Sequence, residues 1–442
     1  MNYQFAMQMF AVQDSISRFD KEIQLCLKLL PQHRDLVRFK IRLPQSSPQT
    51  LESLLEFQKY PSSLQNLAIY QQKASYARLA NADLMISGFS KLKSLESLTL
   101  SGVALLNTAE VILEKVPSFL NVKKFNVQHA EIHSFGALFD LDKCQTFKNL
   151  RYLKVGNIAE MSPLTLLANP PQLESLDIAA AVGMSGPGLI SQFISLFSKS
   201  LKSLKMDIQY AYEAGTEEKI KTLFKKISEL EMLTSFKFKV KNTAPPFAFP
   251  KVNLSPEIIE DLKGLFFKPV KLESFEWEVP RISGPGILLD LLKFLEESRR
   301  TLRKLKIFHP FMDLEKSQEN WIINFLQRLE KIEALYLTGF EIKEEAFWAE
   351  LVSSLKEMKS LKSLGIGSVT EGFQEEWFTK PLMKLLQIKG LEILNINSAF
   401  RPEMEEIVEK PINLKDIMKV NPALKEVSNN IRALFNTAGL EE

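Results

Sequence analysis

Histidine is the scarcest ionisable side chain in this 442-residue sequence, present only as His33, His129, His133 and His309. His129 and His133 stand four apart, a spacing that could put two imidazoles on one helical face to hold a metal ion. Zinc proteases built on that spacing carry a glutamate directly after the first histidine, but here that residue is Ala130, and Val127 just upstream belongs to a strand pattern. The pair reads as an exposed turn. Nucleophilic chemistry lacks its pieces too: there is no Gly-x-Ser-x-Gly elbow, and Cys26 and Cys144 are the only thiols. The acid pairs Glu344-Glu345, Glu375-Glu376 and Glu405-Glu406 sit at apparent helix starts, where carboxylates complement the helix dipole. Two near-copies, Ser185-Gly186-Pro187-Gly188-Leu189 and Ser283-Gly284-Pro285-Gly286-Ile287, are rich in glycine, yet no Gly-Lys-Ser/Thr follows either to cradle a phosphate. Both read as strand-to-helix turns. The sequence therefore predicts no enzyme, no cofactor and no metal site.

Composition narrows the class further. With 56 Lys and Arg against 53 Asp and Glu the chain carries +3, too balanced for the broad basic surface that nonspecific nucleic-acid binding requires. Two cysteines imply no disulfide framework and favour a reducing compartment. Met1 to Phe5 has no basic leader, the apolar stretch from Phe5 to Val12 is short and interrupted by Gln8, and no run reaches the roughly 20 apolar residues that span a bilayer. A cytoplasmic protein with no membrane and no nucleic-acid partner is expected.

Self-similarity is the strongest signal. An apolar residue, two variable ones, an apolar residue, one variable and another apolar residue recur from Leu36, Leu64, Leu95, Val122, Leu150, Leu173, Leu201, Leu233, Leu272, Leu302, Ile332, Leu361, Leu391 and, more weakly, Leu424. These fourteen starts span 388 positions over thirteen intervals, a period of about 30 residues that leaves room for one strand and one helix per unit. The last two apolar positions alternate with polar ones, as in a strand with one buried face. Between them the spacing turns helical: Ile322, Phe325, Leu326 and Leu329 form one stripe, and Ile16, Phe19, Ile23, Cys26 and Leu30 another. Ser255-Pro256-Glu257 and Asn107-Thr108-Ala109-Glu110 look like helix starts.

The units resemble leucine-rich repeats, and helices between strands at this period resemble the ribonuclease-inhibitor type, over roughly residues 36 to 430. The resemblance implies an α/β solenoid of about 14 repeats, a horseshoe with a parallel sheet on its concave side and helices on its convex side. Where that family places Asn or Cys, three positions past the third apolar residue, this chain carries others, from Pro44 and Gln72 to Ala399 and Arg432. Residues 1–35 are expected to be an N-terminal helical cap, 36–430 the solenoid, and 431–442 a C-terminal cap and tail in which a short helix follows the degenerate last strand. An insertion near 242–256 contains Thr243-Ala244-Pro245-Pro246-Phe247-Ala248-Phe249-Pro250, where proline forbids regular structure.

Residues flanking the second and third apolar positions should point away from the buried face. Among them stand ten bases (Arg38, Lys40, Arg42, Lys124, Lys154, Lys205, Lys237, Lys239, Lys304 and Lys306), five acids (Asp177, Asp207, Glu276, Glu278 and Glu426) and the aromatics Tyr70, Tyr152, Phe308 and Tyr336. Large amphipathic side chains among positive charge suit a protein partner of acidic or mixed surface, or a larger assembly. The expected binding residues are Arg38, Lys40, Arg42, Tyr70, Tyr152, Lys154, Lys237, Lys239, Lys304, Lys306, Phe308 and Tyr336. A noncatalytic scaffold or adaptor is thus the leading expectation; a regulator of a small GTPase, by analogy with Ran GTPase-activating proteins, and a ubiquitin-ligase substrate receptor are the alternatives. Reversing Lys237 and Lys239 to glutamate is expected to weaken partner binding without unfolding the chain.

Overall fold

The computed structural model describes residues 5–10, 16–43, 53–54, 56, 59–75, 92–103, 122–128, 149–156, 172–182, 186–210, 216–242, 263, 265–267, 270–279, 285–313, 316–341, 345–368, 384–385, 387–396, 412–413, 421–429 and 435–436. His129, His133, Cys144, the proline-rich stretch 243–250 and the expected helix starts at 107–110 and 255–257 lie outside them. The chain is α/β, a parallel sheet with helices between strands in a solenoid-like arrangement, and it divides into two compact units, Met1–Met232 and Leu233–Glu442.

The first unit holds β1 (Phe5–Phe10), α1 (Ile16–Leu29), β2 (Leu36–Leu43), β3 (Asn66–Ser75), β4 (Ser97–Val103), β5 (Lys124–Gln128), β6 (Tyr152–Gly156), β7 (Ser175–Val182), α2 (Gly186–Ser195), β8 (Ser203–Tyr210) and α3 (Thr216–Ser228). Each strand pairs in parallel with the next in sequence. The register follows the repeat: Phe39, Leu67, Leu98, Phe125, Leu153, Leu176 and Leu204 align across β2 to β8. A one-residue slip would turn every one of these side chains to the other face of the sheet, so burial and register enforce one another.

The second unit holds β9 (Ser235–Asn242), β10 (Ser274–Glu278), α4 (Pro285–Leu295), β11 (Lys304–Asp313), α5 (Lys316–Gln327), β12 (Ala334–Glu341), α6 (Glu345–Lys356), β13 (Ser363–Ser368), β14 (Ile393–Ile396), β15 (Ile412–Asn413), β16 (Glu426–Asn429) and β17 (Phe435–Asn436). Here Phe236, Phe275, Leu305, Leu335, Leu364, Leu394 and Val427 align through β9 to β14 and β16, again all parallel. Helices α2 and α4 begin within the two glycine-rich near-copies, at Gly186 and Pro285. The helical stripe at Ile322, Phe325, Leu326 and Leu329 is buried on and just beyond α5.

All fourteen residues that begin the sequence pattern are buried, none more than 3% exposed. That uniformity marks the fourteen starts as equivalent core positions. Hydroxyls tie successive units together there: Ser63, Ser200 and Thr301, each immediately before the next start, donate to the carbonyls of Leu36, Leu173 and Leu272 at 3.0, 2.9 and 2.8 Å. One position beyond the start, opposite charges in neighbouring units pair at several places. Lys123 meets Glu96 at 3.0 Å, Glu174 lies between Arg151 and Lys202, Arg303 meets Glu333 at 2.8 Å, and Lys425 meets Glu392 at 2.8 Å. These exposed pairs contribute little energy singly.

Two elements depart from the expectation. A strand, β1, precedes the first recognised start, with Met7 and Met9 in register with Phe39 and Ile41. The position that would begin its pattern is Gln4, a polar residue, and this hides the strand from an apolar search. At the other end, Phe435, the last residue of the stretch expected to end in a short helix, is extended together with Asn436, and the two pair with Ile412–Asn413, which supplies their backbone groups with sheet partners.

Candidate interaction surface

The flanking positions form the other face of the sheet, and the register decides which of their charges meet. On β6, β7 and β8, Lys154, Asp177 and Lys205 stand in one row. Asp177, with its side chain 11% exposed, takes Lys154 at 3.1 Å and Lys205 at 2.9 Å. The second unit holds two more acids between pairs of lysines, in register with the β9 lysine and one diagonal step from the β11 lysine. Glu276 on β10 lies between Lys237 of β9 and Lys304 of β11, each 2.6 Å away, while Glu278 lies between Lys239, at 2.5 Å, and Lys306. Six of the ten bases are therefore counter-ions of three acids.

Burial pushes the Glu278 carboxyl up, but hydrogen bonds from Lys239 and Lys306 and their positive charge outweigh it and hold the group down at about 2. Glu276 is shifted the same way, with burial again opposed by Lys237 and Lys304. A carboxylate held below its ordinary 4.5 stabilises the fold fully above that value, and loses the contribution as pH falls towards 2. The urea midpoint of the second unit should accordingly drop between pH 5 and pH 3, and the drop should be shallower in Glu278→Gln. Identical pH profiles for the two proteins would contradict the assignment.

The aromatics take different roles. The Tyr70 ring carries the Lys40 ammonium 5.4 Å and the Arg42 guanidinium 5.6 Å from its centroid. Phe308 is exposed at the end of its row. Tyr152 is half-buried, and burial together with the nearby Asp177 charge pushes its phenol upward. Tyr336 lies flat over β13: a Cβ added to Gly365 would come 2.2 Å from its Cδ1, and its hydroxyl bonds that of Ser363. Its position in the strand announced an outward-pointing tyrosine; the bare glycine alongside allows it to fold down and cover the sheet.

The structure thus places Arg38, Lys40, Arg42, Tyr70, Tyr152 and Lys154 in the first unit, and Lys237, Lys239, Lys304, Lys306, Phe308 and Tyr336 in the second. The acids Asp177, Glu276 and Glu278 matter more than a count of opposing charges suggested. Part of their signal was available, since Asp177 and Glu276 share their repeat offset with lysines in the units before and after, and Glu278 shares its offset with Lys239 in the unit before. Of the remaining candidates, His33 is exposed beside a short 3-10 helix and Cys26 is half-buried, with burial raising its thiol. Among the described residues no group of three or more potential metal ligands occurs, and no helix is long and apolar enough to cross a membrane.

No family model matches this chain, and no curated protein matches it. Among solved structures, a structural-genomics protein from Bacteroides fragilis is similar at 11% identity over 89% of this chain and 74% of its own, with a TM-score of 0.27. A likeness that remote bears on neither fold nor function.

Proposed function

We propose that this chain is a noncatalytic leucine-rich-repeat protein of the ribonuclease-inhibitor kind, about fourteen units in a horseshoe, that recognises a protein partner on the concave face of its sheet. The observation that supports the reading is the alignment of outward positions in every strand pair. This sets charged, polar and aromatic side chains in straight rows on a rigid backbone. Ion pairs and ring contacts hold those side chains in place before a partner arrives, which reduces the ordering cost of binding. Such an arrangement suits an adaptor or one subunit of a larger assembly in the cytoplasm.

A photo-crosslinking residue in place of Tyr70 or Phe308 tests this, with Lys225 and Lys356, exposed on α3 and α6, as control positions. In cells, the two face positions should give the same discrete protein adduct, and that protein, purified, should bind the unmodified chain. Adducts only from the helix positions would reject the sheet face as the recognition surface.

A further inference from the structure

We propose that the face of β2 and β3 in the first unit is the seat of an extended acidic peptide segment, one that runs along β2 with carboxylates at alternate residues. The inference deepens the protein-recognition reading and rests on it. It begins from the separation of used and unused charge. Lys154, Lys205, Lys237, Lys239, Lys304 and Lys306 each hold a carboxylate of the same sheet face. Arg38 and Lys40 are different: among the described residues, no carboxylate lies within ion-pair distance of either. The aligned positions on β1 are Ala6 and Gln8, and those on β3 are Asn66 and Ala68; one strand further, on β4, come Ser97 and Thr99. The next outward base, Lys124, is exposed and also stands among uncharged neighbours, beside Ser97. Among the described outward strand positions of this unit, acids occur only at Asp177 and Asp207.

Geometry fits the occupant. Arg38, Lys40 and Arg42 share one face of a strand at every second residue, about 6.6 Å apart, which is also the repeat of same-side residues in an extended peptide. Lys40 and Arg42 are steadied over the Tyr70 ring, so two of the three cationic heads are already placed. Ala68, Ser97 and Thr99 beside them are small and uncharged, leaving a shallow lane next to the row of cations. Strand β2 is paired on both sides, so the segment cannot add to the sheet as another strand and must be held by its side chains. A short row of cations matches a peptide better than a nucleic acid, whose phosphates call for a broad basic surface.

The test uses the full chain and a fluorescein-labelled peptide of alternating glutamate and serine, followed by anisotropy at low and moderate salt. The peptide should bind, an alternating lysine and serine peptide should not, and added salt should weaken the complex. Arg38→Gln with Lys40→Gln should weaken binding about tenfold without altering the melting curve, whereas Lys225→Gln should leave it unchanged. Equal binding by the double variant overturns the proposal, as does no binding by the native chain. So does displacement of the peptide by anionic vesicles or single-stranded DNA at a lower concentration. If the peptide result fails while Tyr70 and Phe308 still crosslink to one partner, the acidic-segment assignment falls and protein recognition stands. If the peptide binds at Arg38 and Lys40 but neither face position crosslinks, it is the recognition reading that falls.

Discussion

Replacing Trp277 by alanine should destabilise the second unit by about 3–5 kcal/mol, the usual range for deleting a core aromatic. The side chain is 0% exposed and aligned between Phe238 of β9 and Ile307 of β11. Its ring lies 5.1 Å from that of Phe238 and 6.2 Å from that of Phe275, and Phe236, Phe266 and Phe294 extend the same aromatic cluster. Strands held in a parallel ladder cannot close together over the hole, so most of the cavity should persist. Trp277→Phe keeps the ring contact and should cost less than half as much. Urea denaturation followed by hydrogen exchange checks the effect. Protection should fall most in β9, β10 and β11, because each unit of a stacked array leans chiefly on its neighbours. An unchanged midpoint, or loss confined to β2 to β5, would contradict this account of the core.

The second large effect revises an expectation drawn from the strand pattern. Lys237→Glu with Lys239→Glu looks like a surface change that leaves the fold alone, yet these lysines neutralise Glu276 and Glu278, whose side chains are only 10% exposed. The double reversal removes two close ion pairs and sets introduced carboxylates against buried ones. Breaking a buried pair typically costs 3–5 kcal/mol; with the lysines 24% and 35% exposed, solvent screening brings the expectation to about 2–4 kcal/mol. Adding Glu276→Gln and Glu278→Gln to the double variant should recover part of the loss, since the introduced carboxylates then meet neutral amides in place of buried charges, while Lys304 and Lys306 lose their counter-ions. Thermal melts of the three proteins decide the matter; a double variant as stable as the native chain would show that the lysine rows carry no structural role. Charge reversal here reports on stability before it reports on binding, which makes Arg38 and Lys40 the cleaner pair for a recognition experiment.

What the sequence could disclose was whatever depends on neighbours along the chain. Alternation of apolar and polar residues is local, so Leu95 to Leu100 and Leu173 to Ile178 announce strands with one buried face, and the return of the same triplet announces that the strands are equivalent. The burial of every start from Leu36 to Leu424 follows from that equivalence. β1 escaped because its pattern lacks an apolar start at Gln4, although Met7 and Met9 occupy the later positions.

The composition of the outward rows was legible, but their electrostatics were not. Lys205 and Asp177 are 28 residues apart in sequence, and Lys237 and Glu276 are 39 apart, so only strand pairing brings them within hydrogen-bond range. Tyr336 depends likewise on a glycine one strand away. The residue pattern alone determined which side chains leave the core. Which of them remain available to a partner was decided by the tertiary structure, because a charge or ring is spent or spared by what lies about 4.8 Å across the sheet, not by what adjoins it in the chain.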